Sequence, residues 1–516
     1  MIINLPPFSS PITATFVLWA GLNYIGDAMA QPAEIQVIDE ASGRGVPLVE
    51  LTTVNHLRFI TDNAGRVAFD EPSLIGNPVF FHIKSHGYEF PTDGFGYQGK
   101  AVTPMPGEPV TLKLKRLNIA ERLYRITGLG LYRDSVMLGH DTPLEQALGS
   151  GLVAGQDSTF AVPYRGKTFW FWGDTSRMAY PLGHFGMGGA TSDLPEHDGL
   201  DPSTGINLNY FVDEKGFSRP MCQLGFESGL IWADGFTTVK DEQRKERLVC
   251  HYVHLKSLDE ILGHGLAIYN DERKEFERLA DLDLKELWRW PTQSHPIHHE
   301  INGLEYLLLG DVYPTVRVLA TLEHFKNLDS YEAWTCLKPG STKEKPLVDR
   351  DAAGQLRWSW RKHGLPVDSK METTLIKSGL IKTKESRGQV VDAKTKKPIK
   401  LHRGSVNWNP HREHWVMIFG ELGGSTSNLG EIWYAEAKSP TGPWKLATKI
   451  ITHDQYSFYN PVHHAFLDQD GGRLIYFEGT YVNTFSGNKD ATPRYNYNQI
   501  MYRLDLDEPR LKRLSK

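Results

Sequence analysis

The chain has 516 residues, of which 57 are basic and 62 acidic, and its formal net charge is −5. This near balance argues against nucleic-acid binding through a basic surface, and the length exceeds that of one ordinary domain. Aromatic residues make up 11%, and 48 glycines and 30 prolines are typical of a turn-rich, all-β protein. The three cysteines, Cys222, Cys250 and Cys336, are too few and too far apart for a disulfide framework or a zinc knuckle.

The first thirty residues have the pattern of a secretory signal peptide. An apolar stretch is followed by Ala28-Met29-Ala30, which is an A-x-A cleavage pattern, although no basic residue occurs before Arg44. No later stretch is apolar enough to span a bilayer. The pattern predicts a signal peptide over residues 1–30 and an exported protein, periplasmic or extracellular.

Residues 31–117 read as a small β domain. Apolar and polar residues alternate around turn signals at Ser42-Gly43 and Asn63-Ala64-Gly65. Gly45-Val46-Pro47 and Gly87-Tyr88 are positions at which this stretch resembles the carboxypeptidase regulatory-like, prealbumin-type β-sandwich. The resemblance implies a spacer or docking module rather than a catalytic domain.

Residues 118–516 contain a loose internal repeat. Several strand-like runs follow a turn and end in an acid: Phe171 to Asp174, Leu308 to Asp311, Ile418 to Glu421 and, as a variant, Tyr476 to Gly479. Repeated β units of this size indicate a propeller or a solenoid, and the irregular spacing favours the propeller.

The first of these units places two aspartates at the ends of one predicted hairpin. If Arg165-Gly166 is its two-residue tip, paired positions sum to 331, and Asp157 lies opposite Asp174. Directly opposed residues have Cβ atoms about 4.5–5.5 Å apart, and carboxyl groups about 5–5.5 Å apart are the spacing of a retaining glycosidase. A bulged or three-residue loop would instead put the two acids on opposite faces. In the paired register, the pKa of one carboxyl should rise, so that it could donate a proton.

The same arithmetic pairs other acids with polar residues. A tip at Asn302-Gly303 places Asp311 opposite Ser294, and further tips place Glu421 opposite His402 and Glu478 opposite His463. In a propeller these strand ends converge near the axis, where acids and imidazoles could hydrolyse a glycosidic bond.

Three segments resemble five-bladed β-propeller glycoside hydrolases of the arabinanase and furanosidase kind: residues 155–175, with an aspartate before the first strand; residues 431–445, with an A-x-S-x-x-G-P-W segment; and residues 460–481. The resemblance implies hydrolysis of a polysaccharide or oligosaccharide, with arabinan-like and other furanose-containing glycans among the candidates.

The resemblance also assigns roles. Asp157 matches the base or nucleophile of the first blade, and Glu227 is the candidate second acid with Asp234 in reserve. Glu300, Glu421 and Glu478 compete for the general acid. The predicted catalytic set is Asp157, Asp174 and Glu227, and the predicted sugar contacts are Trp172, Arg177, His298, His463, Glu421 and Glu478.

The predicted fold is therefore all-β, a five-bladed propeller over residues 118–516 after a β-sandwich over 31–117. The predicted partner is a carbohydrate, with no nucleic acid and no membrane span. No cofactor or metal ligand is predicted, although some enzymes of the resembled family hold a structural Ca²⁺ in the channel. Two rival functions remain: a non-catalytic glycan-binding propeller and a polysaccharide lyase, and turnover by an Asp157→Asn variant discriminates between hydrolysis and binding.

Overall fold

The computed structural model describes residues 31–257, 259–511 and 514, and these residues form a mostly β chain. The predicted signal peptide, residues 1–30, lies outside the described residues. Within the described part of the chain, no helix has the length and apolar character needed to cross a membrane. All three cysteines are buried free thiols.

Two four-stranded sheets, N1 and N2, contain the first strands of the chain. Residues alternate between buried and half-buried along Ala33–Asp39, and one hydrophobic core joins Ile35 and Leu112 of N1 to Leu51 and Phe81 of N2. The strands of N1, in spatial order, are Arg66–Phe69, Ala33–Asp39, Val110–Arg116 and Tyr88–Glu89, and those of N2 are Arg58–Ile60, Glu50–Thr53, Val79–Lys84 and Gly99–Val102.

Five further sheets, A to E, follow in chain order. In each sheet, the first antiparallel strand after residue 150 is called the first strand, and it lies at an edge of the sheet. Sheet A contains Phe160–Tyr164, Lys167–Phe171, Gly189–Asp193 and Asn209–Tyr210. Sheet B contains Leu230–Lys240, Glu246–Ser257, Glu260–Asn270 and Glu275–Leu282. Sheet C contains Ile297–Ile301, Leu304–Leu309, Val316–Leu319, Glu332–Thr335 and Ser359–Lys362.

Sheets D and E complete the series. Sheet D contains Leu401–Asn409, His414–Glu421, Ile432–Ala437, Leu446–Ile451 and the parallel strand Val391–Asp392. Sheet E contains Ser457–His463, Leu474–Val482, Asn498–Asp505 and, from the other end of the described chain, Glu121–Arg125. The strand Glu121–Arg125 follows N1 directly, so sheet E joins early and late parts of the sequence.

The remaining elements are short. A three-stranded sheet contains Val153–Gln156, Thr175–Arg177 and Tyr180–His184. The α-helices are Arg133–Met137, Leu322–Lys326 and Ser369–Lys377, and the 3₁₀ helices are Leu284–Arg289, Leu328–Ser330, Thr383–Glu385, Ala465–Leu467 and Asp470–Gly472.

Candidate functional site

The hairpin that carries the two aspartates forms as its turn predicts. Arg165 and Gly166 both have positive φ, 50° and 77°, as the favoured two-residue hairpin turn requires. Tyr164 pairs with Lys167, and the same register continues to the pair of Phe160 and Phe171. The predicted sum of 331 is therefore confirmed across this ladder.

Beyond Phe160 the backbone leaves the ladder but keeps the aspartates together. Ser158 has a φ of 56°, and Gly173 N donates to the carbonyl oxygen of Asp157 at 2.7 Å. A Cβ added to Gly173 would lie 2.3 Å from Asp157 Oδ1, so this approach requires glycine. The backbone amide of Asp174 donates to the Asp157 carboxylate.

Hydroxyl groups surround the Asp157 carboxylate. Tyr459 Oη donates to Asp157 Oδ2 at 2.7 Å, and the side chains of Tyr497 and Ser158 also hydrogen-bond to this carboxylate. Asp174 has one side-chain donor, Trp232 Nε1, at 3.2 Å from its Oδ1. The negative charge is therefore better stabilised on Asp157 than on Asp174.

Both carboxyl groups have raised pKa values. Burial raises the pKa of Asp157, and the hydrogen bonds from Tyr459 and Tyr497 oppose that rise. Burial first, and then the charge of Asp157, raise the pKa of Asp174 to about 6. In mildly acidic solution the pair can therefore hold one proton on Asp174 while Asp157 is ionised.

The pair lines a cavity of about 530 Å³ to which all five large sheets or their flanking segments contribute. Both polar and apolar side chains line it, as is usual for a small-molecule site. Its lining consists of Asp157, Ser158, Phe160, Gly173, Asp174, Met187, Trp232, Ala233, Gln293, His402, Arg403, Leu422, Asn428, Leu429, Tyr459, Asn460 and Phe485.

A residue with left-handed backbone recurs in, or just before, the first strand of each of the sheets A to E. In chain order these residues are Ser158, Gly235, Gln293, Arg403 and Asn460, with φ between 43° and 61°. In sheets B, D and E they coincide with register shifts of β-bulge type, and bulges re-aim side chains. Four of the five residues line the cavity. This repeated bend could not be predicted from the residue types, because four of its five members are not glycine.

The structure overturns two predicted pairings, one through a bulge and one through a loop. Glu421 pairs with Leu401 rather than His402, because the register shifts between His402 and Gly404. Glu421 is half-buried and accepts a hydrogen bond from Trp433 Nε1 at 2.9 Å. It is not among the cavity-lining residues.

Glu478 pairs with Val462 rather than His463, in the part of the ladder next to the connecting loop, before the register shift between Tyr459 and Val462. The loop between these strands also contains the two 3₁₀ helices Ala465–Leu467 and Asp470–Gly472 instead of a two-residue tip. Glu478 is fully buried, accepts a hydrogen bond from Thr159 Oγ1 and pairs with His464 Nε2 at 2.7 Å, so the prediction that it contacts sugar is wrong.

Trp172 and Arg177 also lie away from the cavity lining. Trp172 is fully buried, with its ring stacked 6.5 Å from that of Trp170, so it has no free face for a sugar and the prediction is wrong. The Arg177 side chain is exposed, donates to the carbonyl oxygen of Leu182 and lies over the Tyr180 ring.

Three other predicted acids are placed outside the cavity lining. Glu227 is exposed in the segment before sheet B, so the structure does not bring it to Asp157. Glu300 is exposed opposite Glu305. Asp234 is buried and accepts hydrogen bonds from Trp290 Nε1 and from Gln293 N, and therefore fixes the segment that carries Gln293.

His298 and His463 line a second cavity, of about 280 Å³. Phe160 lines both cavities and stacks on His295 at 5.1 Å, which places an aromatic pair at their boundary. His298 hydrogen-bonds to Glu305, and His463 to Asp468. The structure therefore separates these two histidines from the carboxylate pair.

Arg403 and His402 were not in the predicted set, yet both line the carboxylate cavity. Arg403 Nη1 donates to the carbonyl oxygen of Thr292 at 2.9 Å. Burial, and then the charges of Arg403 and Lys370, lower the pKa of His402 to about 4, so this imidazole is neutral at neutral pH. Their position depends on the bulge, which the sequence alone does not reveal. Within the described residues, no group of three or more His, Cys, Asp or Glu side chains is arranged to hold a metal ion.

No protein-family model and no curated protein matches the sequence. Solved structures give partial matches. An exo-β-1,3-galactanase from Phanerochaete chrysosporium is 9% identical, with 69% of this chain and 64% of that chain covered and a TM-score of 0.33. The family 43 glycoside hydrolase YxiA from Bacillus licheniformis is 11% identical, with 67% and 70% covered and a TM-score of 0.34.

An endo-arabinase from Bacteroides thetaiotaomicron is 9% identical, with 68% of this chain and 95% of that chain covered and a TM-score of 0.30. The three solved structures are glycoside hydrolases by their descriptions. Because TM-scores this low reflect only partial superposition, the functional case depends on the geometry of the cavity.

Proposed function

We propose that the protein is a glycoside hydrolase and that Asp157 and Asp174 are its catalytic pair. The observation that carries this proposal is the asymmetry of two adjacent carboxyl groups on one cavity. Asp157 accepts hydrogen bonds from several donors, whereas Asp174 has one side-chain donor and a pKa raised to about 6. Such an asymmetry separates a proton donor from a charged partner.

In the proposed reaction, Asp174 donates its proton to the glycosidic oxygen as the bond to the anomeric carbon breaks. The oxocarbenium-like centre is stabilised by the negative charge of Asp157. Asp157 then acts either as the base that takes a proton from the attacking water or as the nucleophile itself. Tyr459 and Tyr497 hold the Asp157 carboxylate in place, so that its orientation is fixed before the substrate binds.

The fold that we propose for this chemistry is a five-bladed propeller over residues 118–516. Sheets A to E would be its blades, and the strand Glu121–Arg125 would close the ring by completing sheet E. The first strands, together with the few residues before them, supply ten of the 17 residues of the cavity lining, which fits an axial site. N1 and N2 would form the prealbumin-like sandwich, residues 31–117.

The remaining assignments are proposals of the same kind. We infer a carbohydrate partner, export after removal of residues 1–30, and catalysis that requires no cofactor. A structural Ca²⁺ would be an addition to the site and not a participant in the reaction. A glycan-binding protein without turnover is the alternative that the many polar lining groups also fit.

Carboxyl-to-amide variants test the proposal against a panel of furanose- and pyranose-containing polysaccharides. Since general acid catalysis contributes roughly 10²–10⁴-fold, Asp174→Asn should lower turnover by about that factor. Asp157→Asn should abolish turnover while oligosaccharide binding persists. The exposed Asp141 provides the matched control, because Asp141→Asn changes the same atoms at a residue that does not line the cavity. Binding with no turnover by the wild type would favour the glycan-binding alternative.

A further inference from the structure

One wall of the carboxylate cavity carries a guanidinium group with unused donors. Arg403 lines the cavity and uses Nη1 to donate to Thr292, at 2.9 Å from the carbonyl oxygen and 3.3 Å from Oγ1. Its Nε and Nη2 have no hydrogen-bond partner within the described part of the chain. The backbone at Arg403, with a φ of 43°, holds this side chain at the wall.

The nearest acid does not neutralise this wall. Asp311 Oδ2 lies 3.7 Å from Arg403 Nη1 but only 2.9 Å from Lys370 Nζ. One carboxylate is therefore shared by two cations, so Asp311 alone does not balance the charges of Arg403 and Lys370. No ion pair within the described residues joins Arg403 to Asp157 or Asp174, so the two charged walls are separate.

The other polar lining groups already suit a neutral sugar. Gln293, Asn428 and Asn460 supply amide donors and acceptors, and His402 is a neutral imidazole at neutral pH. Hydroxyl groups of a sugar can be bound by such groups without any cation. A guanidinium group is instead the side chain whose planar fork matches a carboxylate or a sulfate oxygen pair.

We propose that the substrate is an acidic glycan and that Arg403 binds the carboxylate or sulfate group of a sugar next to the scissile bond. This inference depends on the proposed hydrolase function and adds the substrate class to it. An anionic sugar would otherwise be repelled by Asp157, and Arg403 offsets that repulsion from the separate wall. The cation therefore allows one cavity to hold both a negative substrate and a negative catalytic group.

Matched oligosaccharides test the inference. Glucuronic-acid-substituted xylo-oligosaccharides are compared with unsubstituted ones. Galacturonan and sulfated galactan oligosaccharides are each compared with neutral galactan oligosaccharides. Binding is measured by calorimetry, and cleavage is measured in parallel. Because a hydrogen bond to a charged group contributes about 1.5–3 kcal/mol, Arg403→Met should weaken binding of the acidic ligand by roughly 10- to 100-fold and that of the matched neutral ligand by much less. Comparison of the uronic-acid ligands with the sulfated ligand identifies whether a carboxylate or a sulfate is bound.

Two further variants calibrate the result. Arg403→Lys keeps the charge but removes the fork and should recover only part of the affinity. Arg273→Met removes an arginine whose exposed side chain pairs with Glu275 and Glu277 and should have no effect. If Arg403→Met does not fold, salt supplies the test in the wild type: acidic ligands should bind more weakly as ionic strength rises, and neutral ligands should not.

The outcomes separate the two proposals. Cleavage of neutral glycans that is insensitive to Arg403→Met, with no preference for acidic ones, would overturn the inference and leave the hydrolase proposal standing. Arg403-dependent binding of acidic glycans without cleavage would support the inference and overturn the hydrolase proposal. Cleavage that yields an unsaturated uronic acid, detected by its ultraviolet absorbance, would support Arg403 as the anion site and replace hydrolysis by lyase chemistry.

Discussion

Asp174 combines a catalytic opportunity with a cost to stability. Its folded-state pKa is about 6, raised from 3.8 by burial and then by the charge of Asp157. The folded protein therefore holds a proton on Asp174 that the unfolded chain releases between these two pH values. Because the folded state binds the extra proton, stability decreases as the pH rises from 3.8 to 6.

Asp174→Asn should therefore stabilise the fold in neutral and alkaline solution. An amide cannot ionise, and a difference of about two pKa units corresponds to at most about 3 kcal/mol of unfolding free energy. The free energies of unfolding of the wild type and the variant, measured in urea, should differ at a pH well above 6 and become equal below 3.8. Equal stability of the two proteins at high pH would contradict the burial of this carboxyl group.

The charge of Asp157 accounts for part of that raised pKa, which gives a second test at the same residue. In Asp157→Asn the Coulombic contribution disappears, whereas the contribution of burial persists. The pKa of Asp174, followed by the carboxyl carbon in an NMR titration, should fall from about 6 but stay above its ordinary value. An unchanged pKa would mean that the two carboxyl groups do not interact.

At the scale of strands and turns, local sequence determines some registers and not others. The tips Arg165-Gly166 and Asn302-Gly303 both adopt positive φ throughout, and the pairings they predict, Tyr164 with Lys167 and Ile297 with Leu308, are confirmed. Two-residue turns transmit register along both strands, so these hairpins could be predicted.

The bulges at Arg403 and Asn460 could not be predicted in this way. Arginine rarely adopts left-handed backbone, and asparagine does so only more often than most residues, so neither residue type predicts the bend. We attribute each bend to tertiary packing at the cavity wall rather than to local sequence. One extra residue in a strand moves every later side chain by one position, which is why Glu421 missed its predicted partner. Glu478 missed its partner because the connecting loop contains two 3₁₀ helices instead of a two-residue tip. The mostly β character was predictable from composition, whereas the predicted catalytic set matched the cavity lining only at Asp157 and Asp174.

The bend at Gln293 provides a test of backbone strain. Gln293 has a φ of 56°, and its amide donates to Asp234 Oδ2 at 2.8 Å, a bond that survives any side-chain change. Gln293→Gly should keep or raise stability, whereas Gln293→Val should lower it by about 1–2 kcal/mol, since a β-branched residue is strained in this region. Chemical denaturation of the two variants measures the difference in their free energies of unfolding. Equal stabilities would show that the backbone at residue 293 accommodates valine without strain.

At the scale of the whole molecule, N1 and N2 are joined to sheet E by buried polar contacts. Arg122, which is 1% exposed, donates from Nε to the carbonyl oxygen of Pro47 and from Nη1 to that of His86, each at 3.0 Å. Asn63 makes two hydrogen bonds of 2.9 Å to the backbone of Arg125. Such contacts are unlike the sparse junction of a spacer or docking module, which the resemblance of residues 31–117 implied.

The two parts should therefore unfold together, and Asn63→Ala tests this. Residues 31–117 contain no tryptophan, so tryptophan fluorescence reports on the sheets that follow. Removing the Asn63 amide leaves the buried N–H and C=O of Arg125 with fewer partners, which should cost about 1–3 kcal/mol. If folding is cooperative, the free energy of unfolding measured by fluorescence falls by that amount, and the transition shifts to a lower urea concentration. This shift would occur although the substitution lies in the tryptophan-free part. Asn77→Ala, in an exposed turn of the same part, should not shift it. A fluorescence transition unchanged in Asn63→Ala, together with an earlier transition by circular dichroism, would show instead that the first part unfolds alone.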